Sequence, residues 1–490
     1  MTVAPAEMLL TPAAMAAVDR AAAASGIDSF GLMERAGQAV AAAALRLFPA
    51  ARRYVVLCGP GNNGGDGYVA ARALSACGAE VVLFHHGDPA ALKGDAARAF
   101  AACPQAGEEL TAYRPAAGDV VIDAIFGAGL ARPVPPAVAE TIARVTEAEL
   151  PVVAVDLPSG LDGTSGRILG AAFRAAHTIT FMSRKPGHLL VPGREICGTL
   201  EVFDIGIPAR ILLAHAGTVG ENRPDAWRTS LPAAGTDTHK YKRGHLVVFS
   251  GGATATGAAR MAAMAGLRSG AGLVTIAAPE EALAANAAAL TAIMLRPIAD
   301  EAALRRWLED TRLSAFVLGP AFGAGERARD FALALRDRRL VLDADGITSF
   351  RDDPQDLFEA FADGETRLVL TPHEGEFARL FPDIAGNAAL SKVDKALAAA
   401  ARAHAAVIYK GPDTVIAAPD GRTLINANAP PWLATAGSGD VLAGIVGGLL
   451  AQGMPAFEAA AAAVWLHGQA GAHAGKGLTA ETLLDAVAPP

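Results

Sequence analysis

The sequence is poor in cysteine, in charge and in long apolar runs. Four cysteines, Cys58, Cys77, Cys103 and Cys197, occur in 490 residues, and none stand in C-x-x-C spacing. That argues against a zinc site or a redox pair, and so few thiols in so long a chain point to a reducing, cytoplasmic setting. Charged residues make up 19% of the chain, the net charge is −8, and there is no basic block. Nucleic acid is therefore not an expected partner. The longest uncharged run, Val441 to Phe457, holds several glycines, Gln452 and Pro455. It reads as a buried helix and turn, so no membrane association is expected. Met1 to Leu10 has no positive charge and no long apolar core, so no leader peptide is expected there.

What is present is hydrophobic residues at 52%, with much alanine and glycine. That suffices for large cores and fits an α/β enzyme of two or more domains. The most informative stretch is Gly437-Ser438-Gly439-Asp440, which runs into an apolar segment with helical spacing. A helix opening this way offers unpaired N–H groups and a positive dipole end to an anion. Asp440 is not needed to bind a phosphate. It fits a base that takes a proton from a hydroxyl attacking the phosphoryl group, although an Asp placed there for dipole reasons would look the same.

In the first half, Pro12 to Leu47 reads as helix broken near Ser25-Gly26. A strand Tyr54–Cys58, a glycine-rich turn from Gly59 to Gly67, a helix from about Tyr68 and a strand Glu80–Phe84 form a βαβ unit. The turn contains Asn62-Asn63-Gly64-Gly65-Asp66. It can hold phosphate on one side and turn oxygens toward a cation on the other. Strands ending at Asp123 and Asp156 deliver carboxylates to the same crevice of an open parallel sheet. The second is followed by Pro158-Ser159-Gly160. Shorter strands are expected at Thr178–Met182 and Thr199–Asp204.

These three motifs, in order, resemble the NAD(P)H-hydrate epimerase family over roughly the first 220 residues. The resemblance implies that Asn62, Asn63, Gly64, Gly65 and Asp66, the segment Gly127, Ala128, Gly129, Leu130, Ala131, Arg132 and Pro133, and Asp156 contact the hydrated nucleotide. It implies a K⁺ ion on Asn63, Asp123 and Ser159, and three hard oxygen ligands suit an alkali cation better than zinc. Asp156 is the expected residue for proton movement at the inverting carbon.

Val219 to Asp237 lacks apolar periodicity and carries the expected boundary: an epimerase-type domain at 1–222, a linker at 223–238, and a second domain at 239–490. Trp227 reads as a linker anchor. The second half repeats short apolar strands ending in small or charged residues: Leu246–Ser250, Gly272–Ala277, Phe316–Leu318, Leu340–Leu342 before Asp343, Leu368–Leu370 before Thr371-Pro372-His373, and Val407–Tyr409 before Lys410. This pattern describes a second doubly wound sheet. Lys410 can neutralise phosphate charge, and Thr414, Asp343 or Glu376 can help place a metal through water. His373 is either a helix-start residue or a ligand contact.

Seven ordered motifs occur in residues 239–490: His-Lys-x-x-x-Gly-His from His239, Arg-Ser-Gly-Ala-Gly-Leu-Val from Arg268, Gly-Pro-x-x-Gly from Gly319, Asp-Ala-Asp from Asp343, Thr-Pro-His-x-Gly-Glu from Thr371, Lys-Gly-x-x-Thr from Lys410 and Gly-Ser-Gly-Asp-Val-Leu from Gly437. With them this half resembles the ribokinase-like superfamily, in its ADP-dependent NAD(P)H-hydrate dehydratase branch. The resemblance implies contacts of Ala258, Ala321, His373 and Asp440 with the hydrate. It implies contacts of Lys410, Gly411, Pro412, Asp413, Thr414 and Gly439 with the adenine nucleotide. Ala321 stands where the family commonly has Gly, and the turn Gly251–Gly257 is unusually rich in Thr and Ala.

The fold expected is thus α/β in two domains, an N-terminal Rossmann-like open sheet and a C-terminal ribokinase-like α/β/α domain. The activity expected is repair of hydrated NADH and NADPH: epimerisation, and dehydration at the expense of ADP with Mg²⁺, in a homo-oligomer. Three rivals remain: a small-molecule kinase fused to a nucleotide-binding module, a dinucleotide oxidoreductase, and a non-catalytic first half. Against the oxidoreductase, the second strand runs into His85 and His86 instead of an acidic residue.

Overall fold

The computed structural model describes residues 8–232 and 239–490. The chain divides into two compact units at Val219/Gly220, three residues before the expected boundary.

The first unit is built on seven parallel strands: β1 Arg53–Cys58, β2 Val81–His85, β3 Gly107–Glu109, β4 Asp119–Ala124, β5 Val152–Val155, β6 His177–Phe181 and β7 Thr199–Phe203. Their order is β3-β2-β1-β4-β5-β6-β7. Tyr54 to Cys58 are all buried, as an apolar strand covered on both faces requires. The order reverses between β1 and β4, and the C-terminal ends of those strands form the crevice. Pro12 opens the first helix, Pro12–Ala24, where Ala14 N–H donates to Thr11 Oγ1 at 3.2 Å. A second helix, Ser29–Leu47, follows the break at Ser25-Gly26.

One expectation is corrected here. The helix after β1 begins at Asn62, not near Tyr68, so Asn62 to Gly67 are helical rather than loop. Gly is a poor helix former in isolation, which is why the stretch reads as a turn. Packing overrides that. A Cβ on Gly64 would lie 2.0 Å from the Gly59 carbonyl oxygen, and one on Gly67 would lie 2.6 Å from the Ala124 Cβ. The glycines let this helix sit directly on the strand ends.

The second unit carries ten strands: β8 Val219–Glu221, β9 His245–Phe249, β10 Leu273–Ala278, β11 Met294–Pro297, β12 Ala315–Leu318, β13 Arg339–Leu342, β14 Leu368–Leu370, β15 Ala405–Tyr409, β16 Val415–Ala417 and β17 Thr423–Ile425. The order is β11-β10-β9-β12-β13-β14-β15-β16-β17-β8. β11 through β15 run parallel, and β16 and β17 fold back antiparallel. The topological switch lies between β9 and β12. The sequence reading does not anticipate strands β8, β11, β16 and β17; β11 is mostly exposed and lacks the apolar run that marks the equally short β12, β13 and β14.

The stretch read as a linker is ordered as far as its described part extends. Trp227 is buried in the core of the second unit, and Asn222, expected to end the first domain, also belongs to the second unit, where its N–H donates to Ile425 O at 2.8 Å. Residues 233–238, the rest of that stretch, lie outside the described residues, as do residues 1–7. The uncharged run from Val441 is the helix Ser438–Ala451 and the start of the helix Ala456–Ala474. A Cβ on Gly444 would lie 2.1 Å from Ala262 O, so this helix meets the helix Gly257–Arg268 at backbone distance. No helix among the described residues is long and apolar enough to cross a membrane.

Candidate active sites

The switch point of the first unit opens into a cleft of about 1230 Å³. Of the residues expected to contact a ligand, Asn62, Asn63, Asp66, Gly127 to Arg132 and Asp156 line it. Gly64 and Gly65 do not; they are buried against the neighbouring elements, and Pro133 also lies off the lining. The helix begins with Gly61 as an uncapped N-cap. The N–H groups of Asn62, Asn63 and Gly64 meet no acceptor among the described residues, so the anion-binding character survives the change from loop to helix.

Beneath the cleft lies a buried oxygen cluster. Ser159 donates to Asp123 twice at 2.6 Å, from its N–H to Oδ2 and from its hydroxyl to Oδ1. Phe126 N–H donates to Ser159 Oγ at 2.8 Å. The Asn63 amide, with its nitrogen toward Val155 O at 3.1 Å and its oxygen toward Gly127 N at 3.3 Å, ties the helix start to the end of β5 and to the loop after β4. Burial pushes the Asp123 carboxyl up to about 6 despite the Ser159 bonds, and no cation among the described residues offsets it.

Asp156 has φ +65°, an uncommon conformation for a side chain other than Gly, Asn or Asp. His188 holds it there. Its Nδ1 accepts from Lys185 N–H at 2.9 Å, which leaves Nε2 to donate to Asp156 O at 2.8 Å. Burial pushes His188 down to about 4, so the ring is neutral. The Asp156 carboxylate accepts from the Lys185 ammonium, from Thr180 Oγ1 at 2.8 Å and from Ala128 N–H at 3.2 Å. Burial alone would raise this carboxyl, but Lys185 and Thr180 outweigh it and hold it below the usual range. Asp66 behaves oppositely. Burial first, then Asp156 and Asp19, raise its carboxyl well above the usual range. Environments that push two carboxyls apart are a common arrangement for acid–base work.

Sequence reasoning missed Lys185, His188 and Asp19. The signal for the first two was Lys185-Pro186-Gly187-His188 just beyond β6, another strand end facing the crevice. Asp19 sits on the first helix and had no such signal.

In the second unit the switch point is equally tight: a Cβ on Gly251 would lie 2.0 Å from Ala321 O. Ala321 itself has φ +51°, which explains in physical terms why glycine suits this position. Asp440 lies in the first turn of the helix Ser438–Ala451, after Gly437 at φ +83°. The N–H groups of Gly439 and Asp440 meet no acceptor among the described residues. Lys410 donates to Asp343 Oδ1 at 2.9 Å and stands 3.9 Å from Glu376 Oε2. Burial and the Asp343 carboxylate push Asp440 up to about 6, with Lys410 pulling the other way.

His373 resolves as a helix cap. Its Nδ1 accepts from Gly375 N–H at 2.9 Å, and Glu376 accepts from His373 N–H at 2.9 Å. Its side chain is still 55% exposed, so the ring face stays open for stacking. Thr414 closes its own turn by donating to Gly411 O at 2.9 Å, and Asp413 is buried on Lys392 at 2.6 Å. Gly411 and Pro412 are exposed beside them, and Ala258 lies in the first turn of its helix, Gly257–Arg268. Asp343, Glu376, Lys410 and Asp440 thus come together. Asp413 is turned away into the protein.

Two family models match the chain. One, described as YjeF-related protein N-terminus, covers residues 29–187, and one, described as NAD(P)H-hydrate dehydratase, covers 246–488. A bifunctional NAD(P)H-hydrate repair enzyme of Thermofilum pendens is 36% identical over 96% of this chain and 93% of its own length. Its counterpart in Moorella thermoacetica is 37% identical over 96% of this chain and 92% of its own. Among solved structures, an ADP/ATP-dependent NAD(P)H-hydrate dehydratase of Bacillus subtilis is 24% identical, with a TM-score of 0.46, over 55% of this chain and 95% of that one.

Proposed function

The chain belongs to the bifunctional NAD(P)H-hydrate repair enzyme family, and we propose that its two units divide the repair between them. The first unit (to about residue 222) interconverts the R and S hydrates of NADH and NADPH. The second (from about 239) dehydrates the S form, consuming ADP and releasing AMP and phosphate. The observation that carries this reading is one chain holding two separate equipped crevices, one with the Asp156–Lys185 pair and one with Asp440 beside Lys410 and Asp343.

In the second unit, hydroxide is a poor leaving group from the hydrated nicotinamide ring. Asp440 takes the proton of the ring hydroxyl, whose oxygen attacks the terminal phosphate of ADP. The free N–H groups of Gly439 and Asp440 and the ammonium of Lys410 stabilise the charge that develops. Phosphate then departs with a push from the ring nitrogen, and loss of a neighbouring proton restores the reduced nicotinamide. Asp343, Glu376 and Asp440 set three carboxylates against the single ammonium of Lys410, an excess of negative charge that fits a nucleotide-bound Mg²⁺. When bound, that ion would neutralise phosphate charge, held through water by Asp343 and Glu376.

In the first unit, Asp156 and Lys185 are the pair for proton movement at the inverting carbon, Asp156 poised by Thr180 and His188. The uncompensated Asp123 carboxylate, with Asn63 and Ser159, fits a K⁺ ion, which would balance its charge and fix the loops around it. The scarcity of cysteine supports a cytoplasmic setting. The exposed Val202 and Phe203 on edge strand β7 support self-association.

The test is to incubate the protein with mixed-epimer NADH hydrate and ADP or ATP, and to follow the absorbance of regenerated NADH. Complete recovery requires both activities. Recovery that stops at the share of one epimer means an inactive first unit, and a stable phosphorylated product means a kinase.

A further inference from the structure

Ser438 is the first residue of the helix that carries Asp440 in its first turn, and it is 6% exposed. Across from it, His467 on the helix Ala456–Ala474 is 9% exposed. Its Nε2 lies 3.0 Å from Ser438 Oγ and 3.0 Å from Ser438 O. A carbonyl oxygen can only accept, so Nε2 carries a hydrogen. The hydroxyl oxygen, facing that same N–H, then also accepts. Its own proton has no acceptor among the described residues, since His467 is the sole side-chain partner of Ser438 there.

A buried hydroxyl with an unspent proton is costly unless a ligand takes it. Its neighbours on the helix, the N–H groups of Gly439 and Asp440, are unspent too. A Cβ on Gly439 would lie 3.6 Å from Lys410 Nζ and 3.9 Å from Asp343 Oδ2, so the start of this helix stands beside that pair.

We propose that the Ser438 hydroxyl is a third donor to the terminal phosphate of the nucleotide, and that His467 is the positioning residue that keeps its proton free for that use. The inference rests on the reading of the second unit as nucleotide-dependent. His467 stays neutral because burial pushes it down to about 4, so it adds no charge at this helix start. It acts through geometry. Its N–H occupies the serine oxygen, so the hydroxyl proton cannot turn back to the ring.

The experiment is a double-mutant cycle on the full chain, Ser438→Ala, His467→Ala and the pair, with kcat and KM for ADP read separately and epimerisation by the same chain as a check on folding. Ser438→Ala is expected to lower kcat/KM for ADP by about a hundredfold, the scale of losing one oxyanion donor. His467→Ala is expected to lower it by about tenfold, and to cost less than about twofold more in the Ser438→Ala background, the non-additivity of two groups acting as one. His467→Gln, which restores an N–H donor, should recover most of the loss. Full additivity, or either single variant within about twofold of the parent, overturns the proposal. If the parent chain itself regenerates no NADH with ADP, the dehydratase reading has failed instead.

Discussion

Lys410 at the end of β15 reaches across β14 to donate to Asp343 at the end of β13, at 2.9 Å. The pair sets the charge that Asp440 feels. Asp343 pushes the Asp440 carboxyl up and Lys410 pulls it down, with burial dominant and the balance at about 6. A base must be ionised to act. ADP-dependent dehydration should therefore rise with pH through about 6 and level off above it. Lys410→Met should move that limb to higher pH and lower the plateau by about a hundredfold. Asp343→Asn should move the limb to lower pH. Rates measured from pH 5 to 8, a span chosen around the carboxyl midpoint, decide it. Asp440→Asn should abolish dehydration and spare epimerisation, whereas equal loss of both would remove Asp440 from its assigned role.

The Asp156–Lys185 pair gives the mirror experiment. Asp156→Asn or Lys185→Met should slow R/S interconversion by about a hundredfold or more, followed by chromatographic separation of the epimers. Dehydration of pure S hydrate should be unchanged in both variants, because the two crevices belong to different units.

The K⁺ ion proposed for the first unit should couple to stability through Asp123. Its folded value of about 6 lies above its ordinary 3.8, so the native state keeps a proton that the unfolded chain has released. Stability from this group falls as pH rises from about 4 to 6, and the ionised form is disfavoured by about 3 kcal/mol. A bound cation removes that penalty. Stabilisation by KCl over choline chloride should thus be small at pH 5, full at pH 7, and absent in Asp123→Asn. Thermal unfolding of the first unit reads it.

The glycines of the Asn-Asn-Gly-Gly-Asp stretch separate packing from ligand contact. Gly64→Ala should destabilise the first unit by about 3 kcal/mol, because its Cβ would fall 2.0 Å from the Gly59 oxygen. Gly61→Ala, which meets nothing within 4 Å, should change stability by less than about 0.5 kcal/mol. Denaturant unfolding of the two variants distinguishes them. In the second unit, Ala321→Gly should stabilise by about 1 kcal/mol by relieving the positive φ.

The chain order of motifs was enough to infer two α/β units, the strand ends that matter, and Asp123, Asp156, Lys410 and Asp440 as chemistry-bearing residues. Apolar runs between glycine-rich turns announce parallel strands, and such sheets gather their strand ends at one edge, so position along the sequence already locates the crevice. Three things were decided by tertiary structure. Gly64 and Gly67 read as loop residues because local propensity disfavours them in a helix, yet close backbone contact with Gly59 and Ala124 makes them necessary in one. Trp227 reads as a linker anchor, and Asn222 as the end of the first domain, because their partners, Ile425 for Asn222, are some two hundred residues away. Lys185 beside Asp156 and His467 beside Ser438 are closer in sequence, 29 residues apart in each pair, but their meeting depends on how separate elements pack. Which carboxylate is ionised and which hydroxyl keeps its proton depend on burial and on partners from other elements, and neither is encoded in local spacing. Gly437-Ser438-Gly439-Asp440 reads in the sequence as a phosphate nest with a base, and folding places Lys410, Asp343 and His467 around it.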